Sequence, residues 1–313
     1  MPHPEFGDSG TPWPRVSVVI PTWNRAAWIA DAIFSVLDQN YPNLEVIVVD
    51  DGSTDETAAV VRRFGHEVRY VRQENGGPAS ARNRGIRTAT GEFVAFLDSD
   101  DLFETGKLHE QVQYFRRNPE AILVYCWFSI VDECGRKRLG RRCNLSGLVA
   151  DALLARCMQG PIATPTVMVR RSALLESGGF DEGMSLSEDI DLWCRLARLG
   201  PIGLIPEVLV RVRRHGANVS RGAGRRRYLA AALRIIDKSG EGDSLSHLKR
   251  LRLKTKAHLW SWLVLVGGLL PAGTSFWLRA LLTNPLALLR RQPFPDEISQ
   301  RIPLAGPDDR LAA

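Results

Sequence analysis

The chain has 313 residues, 44% hydrophobic and 24% charged, and its 27 glycines and 18 prolines follow no period; it can build a full core, which excludes collagen-like, coiled-coil and wholly disordered classes. The formal net charge of +6 is local, because Arg221 to Lys256 carries eleven Lys or Arg against three Asp or Glu and leaves the rest of the chain slightly acidic. A basic tail beside a near-neutral body fits an anionic membrane surface at least as well as nucleic acid, and with Tyr228 as its one aromatic the stretch offers little for bases to stack on, so no nucleic-acid partner is expected.

Met1 to Arg15 is rich in Pro and Gly and reads as a flexible N-terminal segment, 1–14, without the apolar run of a secretory signal. From Arg15 onward, short apolar runs alternate with helix-period stretches, the pattern of an α/β sheet with parallel strands. Val16 to Ile20 and Leu44 to Val49 read as buried strands. Between them Trp28, Ile29, Ala32, Ile33, Val36 and Leu37 recur at helical spacing and complete a βαβ unit. Ser53 with Glu56 three residues on gives a capping-box signal for a second helix through Ala59, Val60 and Phe64, before a short strand at Val68 to Val71. A third helix opens at Pro78, and a strand at Phe93 to Leu97 runs straight into Asp98, Asp100 and Asp101.

Beyond Leu108 the spacing predicts a helix to about Arg117, a strand from Ile122 to Val131, and a loop-rich segment containing Gly135, Gly140 and Gly147. A strand at Thr166 to Val169, a helix from Ser187 stopped by Gly200 and Pro201, and a last strand at Val208 to Val212 follow. The domain is expected to cover 15–220, with a basic and apolar helical tail at 221–313. Leu259 to Leu278 carries no charge for twenty residues, but Gly267, Gly268, Pro271 and Gly273 interrupt it. It reads as a packed helical hairpin, with a membrane-surface element and a bilayer span as the other readings. The five cysteines are odd in number and contain no C-x-x-C, so neither a zinc site nor a disulfide framework is indicated, and a cytoplasmic location is expected.

Open α/β sheets bind ligands outside the carboxyl ends of their strands, and four segments fall there or beside it. Pro21-Thr22-Trp23-Asn24-Arg25 and Asp50-Asp51-Gly52-Ser53 follow the first two strands. Their acids and amides can hold a nucleoside, although such clusters also serve as plain turns and caps. Asn75-Gly76-Gly77-Pro78, leading to Arg82 and Arg84, suits an anion at a helix start or, equally, a capped surface helix; it is neither G-x-G-x-x-G nor a P-loop. Asp98-Ser99-Asp100 places two carboxylates at i and i+2, where they could share a hard cation with phosphate oxygens and water, the alternative being a solvated acidic turn. Glu188 and Asp189 stand at the start of an apolar helix, either as partners of its dipole or with one of them as a general base. His215, read alone, is a surface residue, with metal or phosphate contact as the alternative.

In this order the segments resemble glycosyltransferase family 2, the inverting nucleotide-sugar transferases with a GT-A fold. The resemblance spans about residues 15 to 220 and rests on Val18-Val19-Ile20-Pro21-Thr22-Trp23-Asn24-Arg25, Val48-Val49-Asp50-Asp51-Gly52-Ser53, Gly76-Gly77-Pro78 with Ala81-Arg82-Asn83-Arg84-Gly85, Leu97-Asp98-Ser99-Asp100-Asp101, and Gly178-Gly179-Phe180 with Glu188-Asp189-Ile190-Asp191. It implies a mixed, Rossmann-like sheet and transfer of a sugar, expected from a UDP-sugar, to a glycan or lipid-linked hydroxyl in cell-surface polysaccharide synthesis. By the same resemblance Pro21, Thr22, Asn24, Asp50, Asp51, Arg82, Asp98 and Ser99 bind the nucleotide-sugar. The D-x-D residues Asp98 and Asp100, with His215, hold Mn²⁺ or Mg²⁺, and Asp189, beside Glu188, is the base. Trp23 stands where the family commonly has Tyr. The tail receives no family role, and its composition allows peripheral membrane contact through 221–290 at the inner face of the cytoplasmic membrane. The rival reading is a catalytically inactive nucleotide-sugar binding protein.

Overall fold

The computed structural model describes residues 12–132, 134–140, 142–160, 162–216, 225–239 and 250–259. Strands β1 (Val16–Thr22), β2 (Leu44–Asp50), β3 (Val68–Arg72) and β4 (Phe93–Phe96) lie parallel in the order β3-β2-β1-β4. Val16 stands opposite Leu44 and Thr22 opposite Asp50, so β1 and β2 end level and their loops emerge side by side. Strand side chains alternate between faces, and the two cores divide accordingly. Val18 and Ile20 meet Ile29, Ile33 and Val36 of α1 (Ile29–Leu37) and Val61 of α2 (Thr57–Arg62) on one side, while Val19 meets Ala81 and Ile86 of α3 (Gly77–Thr88) on the other. Helix α3 approaches closely because Gly85 has no side chain: a Cβ there would lie 2.2 Å from Val19.

The second half turns the sheet mixed. β5 (Leu102–Phe103), α4 (Lys107–Arg117), β6 (Leu123–Asp132), β7 (Lys137–Leu139), α5 (Ala150–Leu154), β8 (Val167–Arg170), α6 (Arg171–Glu176), α7 (Glu188–Leu199) and β9 (Ile202–Arg214) follow. The sheet continues from β4 through β8, β6 and β9 to β5, with β7 added to β6. β5, β7 and β8 are antiparallel to their neighbours, so the parallel sheet expected from the alternation alone holds for the first four strands and for β6 beside β9. β9 is far longer than Val208 to Val212. It pairs with β6 from Leu123 to Asp132, and its charged end is held by ion pairs of Arg211 with Glu104 and Arg213 with Asp31.

One local expectation is corrected. Ser53 does not cap α2: its hydroxyl accepts the Asn24 N–H, the helix starts at Thr57, and the Asp55 carboxylate accepts the Thr57 N–H at 3.0 Å. One compact unit extends to Ala257. Helix α8 (Arg225–Lys238) buries Ala231, Ala232, Ile235 and Ile236 in the core shared with α5 and α7. Two of its basic residues are paired, Arg234 with Asp181 and Lys238 with both Asp181 and Asp191, so part of the tail's positive charge serves this packing. Residues 250–259 are helical. The apolar run beyond Leu259 lies outside the described residues, among which no helix is long and apolar enough to cross a membrane.

Candidate active site

At the level ends of β1 and β2, backbone demands consume much of the polar chemistry. Asn24 adopts φ 52, a left-handed conformation that Asn tolerates. Its side-chain oxygen accepts the N–H groups of Thr54 at 2.8 Å and Asp55 at 3.3 Å. Buried Asp50 accepts the Ser53 N–H at 2.7 Å and the Tyr70 hydroxyl at 2.5 Å. Asp51 reaches the start of α3, accepting the N–H groups of Gly76 at 2.9 Å and Gly77 at 2.8 Å together with the Gln73 amide. Pro21 is buried within β1, and the hydroxyl of Thr22, buried beside it, has no hydrogen-bond partner among the described residues. Exposed Trp23 completes the rim of this loop pair.

The acidic segment after β4 is a turn closed by the Asp101 N–H on the Asp98 carbonyl, not a continued strand, so i and i+2 do not point one way. Asp98 faces Arg82 at 2.8 Å. Asp100 faces His215, whose Nε2 lies 2.9 Å from its carboxylate, and Arg25 at 3.7 Å. Ser99 is buried. Asp101, also buried, accepts the Arg213 N–H at 2.9 Å, and burial with Asp98 and Asp100 nearby pushes its carboxyl pKa well up. Asp98, Asp100 and His215 therefore do not gather as one three-ligand set; no such set occurs among the described residues. Asp100 and His215 remain as a matched pair, a carboxylate oxygen and an imidazole nitrogen, both side chains little exposed. The carboxylate is a donor that suits Mg²⁺ or Mn²⁺, and the imidazole nitrogen one that suits a transition-metal ion such as Mn²⁺, so the pair could hold a divalent cation. His215 is 7% exposed, so its reading as a surface residue is overturned.

Between the two acidic segments stands Arg82 of α3, its guanidinium 2.8 Å from Asp98 on one side and 2.8 Å from Glu188 on the other. Burial works against that charge, yet the two carboxylates hold the guanidinium firmly protonated. Arg84, two residues on, is exposed and is not brought to this cluster. Asn83 fixes the segment that precedes α7 by accepting the Phe180 N–H and donating to the Phe180 carbonyl and Glu182, each at 2.8 Å. Gly179 makes this approach possible, because at φ 75 its Cβ would sit 2.5 Å from the Asn83 oxygen.

Helix α7 begins after Ser187, another non-glycine residue in the left-handed region, at φ 59. Holding a side chain there costs energy and marks a constrained position. Asp189 follows, accepting its neighbour Ile190's N–H at 2.8 Å and the Thr164 hydroxyl at 3.2 Å. Burial first, and the Glu188 charge second, push its carboxyl up to about 7 against the opposing pull of Arg82 and these two hydrogen bonds. A carboxyl poised near neutrality is suited to take a proton.

Several participants carried no sequence signal. Thr164 lies in a segment without motifs, and Tyr70 sits in an ordinary strand. Trp28 scored as an apolar helix-face residue, but α1 starts at Ile29 and the indole is half-buried, stacked on His215 with ring centroids 4.3 Å apart and planes 16° from parallel. Tyr228 of α8 belongs to the tail; burial, then the Asp189 charge, raises its phenol pKa, with a smaller contribution from Glu188.

This architecture is a GT-A fold. It is similar to S. aureus TarS residues 1–349 in complex with UDP-GlcNAc, at a TM-score of 0.64 and 20% identity over 78% of this chain and 72% of that one. It is similar also to the mannosyltransferase PcManGT from Pyrobaculum calidifontis in complex with GDP-Man and Mn²⁺, at a TM-score of 0.59 and 23% identity over 90% and 81%. The family model for glycosyl transferase family 2 matches residues 17–179, more than half of the chain, and the chain belongs to that family. An uncharacterized glycosyltransferase of Rickettsia typhi is 32% identical over 215 residues, 67% of each protein. One of Rickettsia bellii is 37% identical over 209 residues, 66% of this chain but 30% of its own length. The chain thus spans less than a third of that relative. TuaG of Bacillus subtilis, named for teichuronic acid biosynthesis, is 43% identical over 110 residues, 33% of this chain and 43% of its own.

Proposed function

We propose that the protein is an inverting glycosyltransferase that moves a sugar from a nucleoside diphosphate donor, a UDP-sugar, to a hydroxyl of a glycan or lipid-linked acceptor in cell-surface polysaccharide synthesis. The observation that carries this reading is Asp189: a carboxyl raised to about 7, held by Thr164 and Ile190, one guanidinium away from the acidic turn that follows β4. TarS with UDP-GlcNAc and TuaG with its teichuronic acid name support the donor and pathway classes.

In the proposed reaction the Asp189 carboxylate takes the proton of the acceptor hydroxyl as that oxygen attacks the anomeric carbon. The new C–O bond forms as the bond to the diphosphate breaks on the opposite face, so the configuration inverts and the nucleoside diphosphate leaves with the bonding electrons. Arg82 holds Glu188 and Asp98 in place beside the base, one positive charge shared between two carboxylates. The β1 and β2 loops, fastened to each other by Asn24 and to α3 by Asp51, present the nucleoside side of the site with Trp23 exposed on it. Asp100 and His215 would hold Mn²⁺ or Mg²⁺, which supplies charge neutralisation for the diphosphate.

Peripheral contact with the inner face of the cytoplasmic membrane completes the reading. The helical residues 250–257 expose Leu251 along with Arg252 and Lys256, apolar and basic groups suited to an anionic bilayer surface. The test is a screen of nucleotide-sugars with purified protein, with and without Mn²⁺, beside Asp189→Asn and Asp100→Ala. Metal-dependent release of nucleoside diphosphate from one donor, lost in both variants, is expected; near-full transfer by Asp189→Asn overturns the assignment of the base.

A further inference from the structure

The core does not account for Trp28. Ile29, Ala32, Ile33 and Val36 bury the inner face of α1 completely, while Trp28 sits one residue before the helix with its indole half-exposed. Its N–H donates to the Arg25 carbonyl at 3.0 Å and its carbonyl accepts the Ala32 N–H at 3.2 Å, so its backbone is fixed by a turn at the mouth of the site. The face of the indole is given to His215, at 4.3 Å between centroids and 16° between planes. His215 follows Arg214, the last paired residue of β9.

We propose that Trp28 is a positioning residue for His215, setting the imidazole plane so that Nε2 meets the Asp100 carboxylate. A stacked face removes the freedom of the imidazole to swing out of that plane, and Nε2 then lies on the line to Asp100, 2.9 Å away. Arg25, three residues earlier in the same loop, carries its guanidinium 5.5 Å from the indole centroid and 3.7 Å from Asp100. One short loop after β1 therefore determines the placement of both Asp100 and His215, which arrive from two distant parts of the chain. Groups that orient a ligand-bearing side chain in this way typically matter to affinity almost as much as the ligand itself.

The inference rests on the proposed binding of a metal and a nucleoside diphosphate. Calorimetric titration with UDP, in the presence and absence of MnCl₂, tests it without relying on turnover. Trp28→Leu keeps apolar bulk but no planar face, and is expected to weaken Mn²⁺-dependent UDP binding by about 10- to 100-fold. Trp28→Phe is expected to stay within a few-fold of wild type. His215→Ala should lose as much as Trp28→Leu, and the double variant should lose no more than His215→Ala alone. Metal-free UDP binding should change little in any of them. Trp28→Tyr against Trp28→Met supplies a second planar and non-planar pair should the leucine variant fail to fold. Equal Mn²⁺-dependent affinity across a planar and non-planar pair, or losses that multiply in the double variant, overturns the inference alone. A wild-type protein that binds no UDP with Mn²⁺ overturns the functional reading and this inference with it.

Discussion

Arg82 and Glu188 lie 106 positions apart in sequence and meet at 2.8 Å. The same guanidinium reaches Asp98 at 2.8 Å, so the third helix joins the acidic turn after β4 to the start of α7. The link explains how Glu188 can neighbour Asp189 at the start of α7: the buried Arg82 guanidinium offsets its charge.

Arg82→Ala should therefore destabilise the fold as well as the site. Breaking a buried ion pair by removing one partner costs about 3 to 5 kcal/mol, because the charge left behind is uncompensated. Urea denaturation should show that loss, and Arg82→Lys should recover only part of it, since a single ammonium cannot span both carboxylates with a planar fork. An alanine variant as stable as wild type would show that the pairing carries no energy.

The pH profile follows from Asp189. A general base must be ionised, so kcat/KM should rise with pH through about 7, the value to which burial and Glu188 push this carboxyl. Asp189→Asn should cost about 10²- to 10⁴-fold in rate. Stability runs the other way. The folded carboxyl binds its proton more tightly than an unfolded Asp, with its usual pKa of about 3.9, so its contribution declines as pH rises from about 4 to 7. The melting temperature of Asp189→Asn relative to wild type should accordingly climb over that window, as thermal scans at successive pH values would show.

Gly179→Ala tests the fastening of the segment before α7. The residue has φ 75, and an added Cβ would lie 2.5 Å from the Asn83 oxygen, which accepts the Phe180 N–H. Left-handed backbone alone costs an alanine about 1 to 2 kcal/mol, and displacement of Asn83 adds to it. The expected result is lowered stability together with lowered activity, because the same segment leads to Ser187 and Asp189. Unchanged denaturation midpoints would show that Asn83 yields freely.

The first four strands, the crossover helices and the strand-end location of the acids were legible because apolar periodicity and short motifs record local structure. The second half was less so. β5 spans two residues, and β9 disguises its length with Arg211, paired with Glu104, and Arg213, held by Asp31 and Asp101, partners that are remote in sequence. Lys107, in the first turn of α4, is buried, donating to Gln111 at 2.8 Å with its ammonium 4.0 Å from the Phe103 ring centroid. The site divides similarly. The motif residues sit at the expected edge, yet Asn24, Asp50 and Asp51 spend their oxygens on backbone N–H groups, and the Trp28 stack on His215 exists only after β9 has returned past the β1 loop. Side-chain pairing across such separations leaves no trace in local spacing.

Composition alone makes the segment after 220 look like a detachable basic tail, and α8 gives the clearest test of that view. Ile235 and Ile236 are each 1% exposed in the core shared with α5 and α7, while Arg234 and Lys238 hold Asp181 from the same helix. Truncating a buried isoleucine to alanine costs about 2 to 5 kcal/mol. Ile236→Ala should then lower the stability of the whole domain in a single cooperative transition, read by urea denaturation with tryptophan fluorescence; Trp193 in the same core is fully buried and reports on it directly. Arg226→Ala, at an exposed position on that helix, should leave the midpoint within about 0.5 kcal/mol of wild type. A tail that merely accompanied the domain would make both substitutions silent. The packed helix makes the first costly and the second neutral.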